Sequence, residues 1–145
     1  MKSCPLPALA MKRVRVLLAE DGWAMARHLG AILAQDFEVL ATVSDGLALV
    51  RLARQMHPDV IVTDISMPGI TGLEAVARLL GEREDVGIVF ITVHGEPQMV
   101  SHAMELAPCA YVLKSDAGED LLPAVHAAVE RRRYVSASIQ HLGFN

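Results

Sequence analysis

Five short apolar runs punctuate the chain at regular intervals: Val14 to Ala19, Phe37 to Val43, Val60 to Asp64, Gly87 to Thr92, and Ala110 to Lys114. Each has the length of a strand, and four are almost wholly apolar, as strands covered by helices on both faces must be. The run Phe37 to Val43 admits Glu38 and Thr42, which marks it as the edge of the sheet. Between the runs, apolar residues recur at i, i+3 or i+4, and i+7, the spacing that gathers them on one face of a helix. The sets are Met25, Leu29, Ile32; Leu49, Leu52, Ala53, Met56; Leu73, Val76, Ala77, Leu80; Val100, Ala103, Met104, Ala107; and, after the last run, Leu121, Val125, Ala128.

Strict alternation of strand and helix, joined by right-handed crossovers, predicts an α/β fold of the flavodoxin-like kind: a doubly wound, five-stranded parallel sheet in the order 2-1-3-4-5 with five helices. Such sheets bind ligands outside the carboxyl ends of their strands. The residues at those ends are Glu20 and Asp21 after strand 1, Asp64 after strand 3, Thr92 after strand 4 and Lys114 after strand 5.

At 145 residues the chain suits a single core. The organisation expected is a disordered N-terminal extension over 1–11, a domain over 12–133, and a C-terminal tail or the start of a linker over 134–145. The formal net charge of −4 offers no basic face for nucleic acid, so direct DNA contact by this chain is not expected. The longest uncharged apolar run, Val86 to Val93, is far too short to span a membrane. Cys4 and Cys109 form no Cys-x-x-Cys pair and no disulfide framework, which fits a reducing cytoplasm.

Three carboxylates brought to one sheet edge repel one another, so they call for a cation or for raised pKa values. An oxygen-lined acidic pocket suits Mg²⁺, which takes one or two carboxylates and completes its octahedron with water and phosphate oxygens. Lys114 adds a compensating charge and Thr92 a hydroxyl; together they would clamp a phosphoryl group. Asp64 is the best nucleophile, because a carboxylate attacks phosphorus once the developing oxygen charge is neutralised. An acidic residue after a strand is commonly only a helix cap, so the joint placement carries the argument.

Along Val14 to Arg132 the chain resembles the receiver domains of two-component response regulators, the CheY-like superfamily, and most of all the NarL/LuxR-type branch. The matching stretches are Leu17-Leu18-Ala19-Glu20-Asp21, Val62-Thr63-Asp64-Ile65-Ser66-Met67-Pro68-Gly69, Ile91-Thr92 and Tyr111-Val112-Leu113-Lys114. The branch is suggested by Asp64 to Glu74, with Gly69 and Gly72. The resemblance implies that Asp64 is the phosphoacceptor and that Asp21 binds Mg²⁺ directly. Glu20 would support the ion through water, and the backbone carbonyl of Ser66 would complete the protein ligands. Thr92 and Lys114 would contact the phosphoryl group, Tyr111 would be the switch aromatic, and Ser66 and His94 would flank the phosphoryl group and modulate its lifetime. It also implies a sensor histidine kinase as partner, homodimerisation on phosphorylation, and transcriptional output through a C-terminal DNA-binding domain absent from this chain.

Departures from the family pattern are Glu20 for the commoner aspartate, Val93 where a smaller residue is usual, Ala107-Pro108 before strand 5, and Ser115 for the proline that often follows the lysine. Pro123 falls inside the last helix, after an Asp116-x-x-Glu119 start signal that resembles a capping box. His57, His102, His126 and His141 lack metal-ligand spacing, Cys109 reads as buried, and Arg131 to Arg133 as a solvated run at a helix end. Trp23 reads as core or helix-start packing near the pocket rim. Three other functions compete: a natural single-domain regulator acting by protein contact, a degenerate receiver, and a Mg²⁺-dependent phosphohydrolase using an aspartyl phosphate. The last would need a second aspartate two residues after the nucleophile, where this chain has Ser66.

Overall fold

Strands and helices alternate through the computed structural model, which describes residues 13–83 and 85–142. Their order is β1 (Arg15–Ala19), α1 (Trp23–Leu33), β2 (Glu38–Val43), α2 (Gly46–Met56), β3 (Val60–Thr63), α3 (Gly72–Leu80), β4 (Gly87–Thr92), α4 (Pro97–Leu106), β5 (Ala110–Leu113), α5 (Ala117–Val129) and β6 (Tyr134–Val135). Short 3-10 turns cover Lys114–Asp116 and Ala137–Leu142. The expected extension over 1–11 lies outside the described residues.

All strand pairs are parallel and the order is β2-β1-β3-β4-β5-β6. The sheet therefore has six strands where five were expected. The sixth comes from the segment read as a tail: Tyr134 and Val135 pair with Ala110 and Tyr111. β2 lies at the other edge, as its polar positions require.

Strand residues alternate between two apolar layers because successive side chains point to opposite faces. Leu17, Ile61, Ile88, Phe90 and Tyr111 face α2, α3 and α4, while Val16, Val62, Val89, Ile91 and Val112 face α1 and α5. Every residue of β3 and β4 is buried. On α3 the buried face is Ala75, Val76 and Leu79, rotated from the expected set, so that Ala77 is exposed. Ala107 lies beyond α4 in an extended conformation, φ −175°, and this loop asks nothing unusual of an alanine.

The capping box is not the one expected. Thr71 and Glu74 form it at the start of α3, where the Glu74 N–H donates to Thr71 Oγ1 at 3.0 Å. Asp116 makes no cap bond, because its carboxylate is occupied by Ser138. Pro123 sits within an unbroken α5; it and Glu119, whose carbonyl loses its partner, are both exposed, so water can replace the missing bond.

Candidate functional site

Parallel pairing carries the strand-end residues to one edge. Asp64 N–H donates to the Ala19 carbonyl and Glu20 N–H to the Val43 carbonyl, each at 2.9 Å, so both acidic residues leave the sheet still held by its ladder. Behind Asp64 the backbone is closed by Gly72, whose N–H reaches the Ile65 carbonyl at 2.7 Å. A Cβ on Gly72 would lie 1.9 Å from the Asp64 carbonyl oxygen, so only glycine lets α3 start this close to the acidic residue.

Glu20, Asp21 and Asp64 offer carboxylate oxygens that all lie within 4.8 Å of one another. Glu20 and Asp64 are buried, while Asp21 is exposed at the rim. Lys114 Nζ stands 2.8 Å from Asp64 Oδ2 and 2.7 Å from Glu20 Oε1. Three carboxylates thus face one ammonium, and the cluster carries an excess of negative charge. Burial by itself would lower the Lys114 pKa; hydrogen bonds to Asp64 and Glu20, and the charges of both, outweigh it and leave the pKa raised.

The two oxygens of Glu20 are served differently. Gly22 N–H donates to Oε2 at 2.9 Å. Oε1 is buried, and its partner is the Lys114 ammonium at 2.7 Å, which it shares with Asp64. Buried carboxylates that divide one ammonium, in a cluster of excess negative charge, are what a divalent cation with oxygen preference would satisfy. The donor set fits Mg²⁺.

Thr92 is fully buried at the end of β4. Its Oγ1 accepts the His94 N–H at 3.2 Å, and the Tyr111 hydroxyl donates to the His94 carbonyl at 2.5 Å. One peptide segment therefore joins the strand-end hydroxyl to the buried aromatic ring. Burial first, then the negative charges of Glu96 and Asp64, push the Tyr111 phenol above its ordinary range, so it stays a donor. The His94 ring lies over the rim, with Nε2 3.4 Å from Ser66 Oγ and Nδ1 3.6 Å from Glu96.

Two neighbours of the site are exposed. Trp23 is 72% exposed at the first turn of α1, with the Arg27 guanidinium 5.4 Å from its ring, and is not part of the core. Val93 is 70% exposed and leaves the mouth of the site open on its side. Cys109 is buried, and burial pushes its thiol up to about 12, which makes it unreactive at neutral pH.

A family model for the response regulator receiver domain matches residues 16–126. The chain belongs to that family. It is 28% identical over 131 residues to the transcriptional regulatory protein DegU of Brevibacillus brevis, covering 89% of this chain and 56% of DegU. It is 36% identical over 117 residues to the transcriptional regulatory protein LiaR of Bacillus subtilis, covering 79% of this chain and 56% of LiaR. This receiver chain thus spans little more than half the length of the curated relatives it matches. Among solved structures, a LuxR-family two-component response regulator from Aurantimonas sp. SI85-9A1 superposes with a TM-score of 0.84 at 26% identity, over 90% of this chain and 94% of that one. The isolated receiver domain of RcsB from Salmonella enterica serovar Typhimurium shares the fold, with a TM-score of 0.82 at 23% identity over 90% of this chain and 99% of that one. The protein is a response regulator receiver domain, a regulatory module. Among the described residues no helix is long and apolar enough to cross a membrane.

Proposed function

We propose that this receiver is a phosphorylation switch in which Asp64 takes a phosphoryl group from the phosphohistidine of a sensor kinase. The observation that supports this best is the buried pair Glu20 and Asp64 sharing a single lysine, with Asp21 beside them at the rim. Glu20, Asp21 and Asp64, with the Ser66 main-chain carbonyl, would hold Mg²⁺, which when bound neutralises charge on the transferring phosphoryl oxygens.

The remaining chemistry belongs to the chain. An Asp64 carboxylate oxygen forms the new P–O bond as the donor's P–N bond breaks, and the electron pair leaves with the imidazole nitrogen, which takes up a proton. Lys114, already on Asp64 at 2.8 Å, turns its ammonium to the phosphoryl oxygens and offsets their charge. Thr92 offers its hydroxyl to the same group, and in doing so disturbs the His94 main chain and with it Tyr111. Moving such a two-state element from about 1:99 to 99:1 needs roughly 5.5 kcal/mol of differential binding. A charge-rich group bonded to a buried lysine and hydroxyl is of the right strength.

The domain, expected over 12–133, runs on through β6 at least to Ile139, whose side chain joins the core, and the protein works in the cytoplasm. Phosphorylation favours homodimerisation and output runs through a separate DNA-binding domain; the part of this reading that the relatives' names support is control of transcription. The test is intact mass after incubation with acetyl phosphate. One added phosphoryl group that requires Mg²⁺ and is absent in Asp64→Asn is expected; equal modification of the variant would move the acceptor elsewhere.

A further inference from the structure

The segment that supplies β6 also grips the switch. Ser136 N–H donates to the Tyr111 carbonyl at 2.9 Å, and Ser136 Oγ accepts the Leu113 N–H at 3.1 Å. Val135 and Ile139 are buried in the same apolar layer as the Tyr111 ring. Two carboxylates of α5 and the turn before it latch the segment down. Asp120 receives the Tyr134 hydroxyl at 2.6 Å and the Ala137 N–H at 3.0 Å, and Asp116 receives the Ser138 N–H at 3.1 Å and its hydroxyl at 2.8 Å.

Its other contact is with the loop after β4. A Cβ placed on Gly95 would lie 3.2 Å from Ile139 Cγ2 and 3.4 Å from Leu113 Cδ2, so the gap between the loop backbone and Ile139 is too narrow for a side chain. Gly95 follows His94, the residue whose N–H is held by Thr92 and whose carbonyl is held by Tyr111. Hydrogen bonds therefore join the Thr92 hydroxyl to the main chain of His94, and the next residue, Gly95, lies beside Ile139.

We propose that residues 134–142 form a strap that reports the state of the site, docked while Thr92 holds the His94 N–H and loosened when that hydroxyl turns to a phosphoryl group on Asp64. The proposal rests on the phosphoacceptor reading above. A Thr92 hydroxyl drawn toward Asp64 leaves the His94 N–H without its acceptor, and the loop must move to find another. Close-packed neighbours pass such a shift on rather than absorb it, and here the neighbour is Ile139. The strap is suited to yield, because β6 is only two residues long and the Asp116–Ser138 latch is exposed. Undocking uncovers the backbone edge of β5 and the apolar seat of Ile139, a surface present in one state and hidden in the other. Linkage then demands the reverse effect: whatever loosens the strap strengthens phosphoryl binding by the same factor.

The experiment is amide hydrogen exchange at Ser136, Ala137 and Ile139 in the full chain with Mg²⁺, with and without beryllofluoride, whose binding is followed by fluorine NMR. Exchange at these amides is expected to rise at least tenfold when beryllofluoride binds. Tyr134→Phe, which keeps the ring and loses only the bond to Asp120, and Ile139→Ala should each speed exchange in the free protein and bind beryllofluoride severalfold more tightly. A bound fluorine signal with unchanged strap exchange, or folded variants with wild-type affinity, would overturn the strap alone. No bound signal, or one that survives in Asp64→Asn, would overturn the phosphoacceptor reading and the strap with it.

Discussion

The two ends of the sheet use the same residue types by opposite rules. At the carboxyl ends, Glu20 and Asp64 are buried and share Lys114, with side-chain exposures of 2, 8 and 13%. At the amino ends, Arg54 pairs with Glu82 and Arg83 with Asp85, and in both pairs the acid is open to water. Each acid there has its own arginine; at the other end two buried acids and Asp21 divide one ammonium. Burying a carboxylate costs several kcal/mol even after relaxation, and an incomplete set of partners leaves part of that cost standing. The domain tolerates this only at the strand ends where a ligand can complete the set. A hollow is not what distinguishes the two: a cavity of about 290 Å³ opens beside Ala53, Ile61, Leu79 and Val86, yet its rim charges are already paired with each other.

The comparison breaks most severely if Lys114 is removed. Lys114→Met keeps length and loses charge, so Glu20 and Asp64 repel unopposed in a buried site. Mg²⁺-dependent modification by acetyl phosphate should slow at least tenfold, or about 1.4 kcal/mol in the barrier. Stability without metal should fall as well. The Lys114 pKa is raised on folding, so its contribution is fully present below the unfolded value near 10.4 and is lost as pH rises through the folded one. The stability gap between wild type and variant should therefore be open at pH 7 and close in strong alkali. Chemical denaturation at both pH values measures it, and a gap independent of pH would show that Lys114 acts by packing alone. Tyr111 and Tyr134 also have raised pKa values, burial being the first cause in each, but they are common to both proteins and cancel in the difference.

Much of this is legible in the chain because buried parallel strands admit little but apolar residues, and β3 and β4 are buried throughout. Placing β1, β3, β4 and β5 by their apolar runs places Glu20, Asp64, Thr92 and Lys114 at their ends. What escapes the sequence has a physical reason in each case. β6 has two residues, too few for alternation to carry a signal, and its latch partners Asp116 and Asp120 are 22 and 14 to 17 residues away. Asp116 followed by Glu119 has the form of a cap, yet Ser138 competes for the carboxylate and wins. The joint at His94 is made by main-chain atoms, which have no side-chain signature. Nor does composition reveal that Glu20 and Asp64 share one ammonium, since that depends on where Lys114 points.

A gentler change sharpens the contrast within the carboxyl end itself. Ser66 and His94 sit at the rim, 3.4 Å apart, where water must pass to hydrolyse an acyl phosphate on Asp64. Ser66→Ala with His94→Ala removes this contact and opens the approach. The decay rate of the phosphorylated protein should change severalfold, roughly 1 kcal/mol in the barrier. The Mg²⁺ requirement, which lies with the buried carboxylates, should survive. Phosphate-affinity gels sampled over time measure the decay; an unchanged half-life would assign control of water access to Val93 or to residues beyond this rim.

The smallest effect is expected at the amino ends, where Glu82→Gln removes one charge and keeps the side-chain length. Arg54 donates to Glu82 from both Nε and Nη2, and those hydrogen bonds first, then charge, hold the Glu82 carboxyl below its ordinary range and the Arg54 guanidinium above its own. Both groups are open to water, so the interaction is screened and its worth is slight. The thermal midpoint should drop a little at low salt and match wild type in 1 M salt, where charges are screened beyond about 3 Å. A lowered carboxylate pKa contributes stability above the unfolded value near 4.3 and loses it as pH falls through the folded one, so the difference should also vanish in acid. Acetyl phosphate modification of Asp64 should be untouched. A large loss of stability, or any loss of modification, would show that the paired end and the unbalanced end are coupled through α2 and α3, and that the domain does not keep its two uses of charge apart.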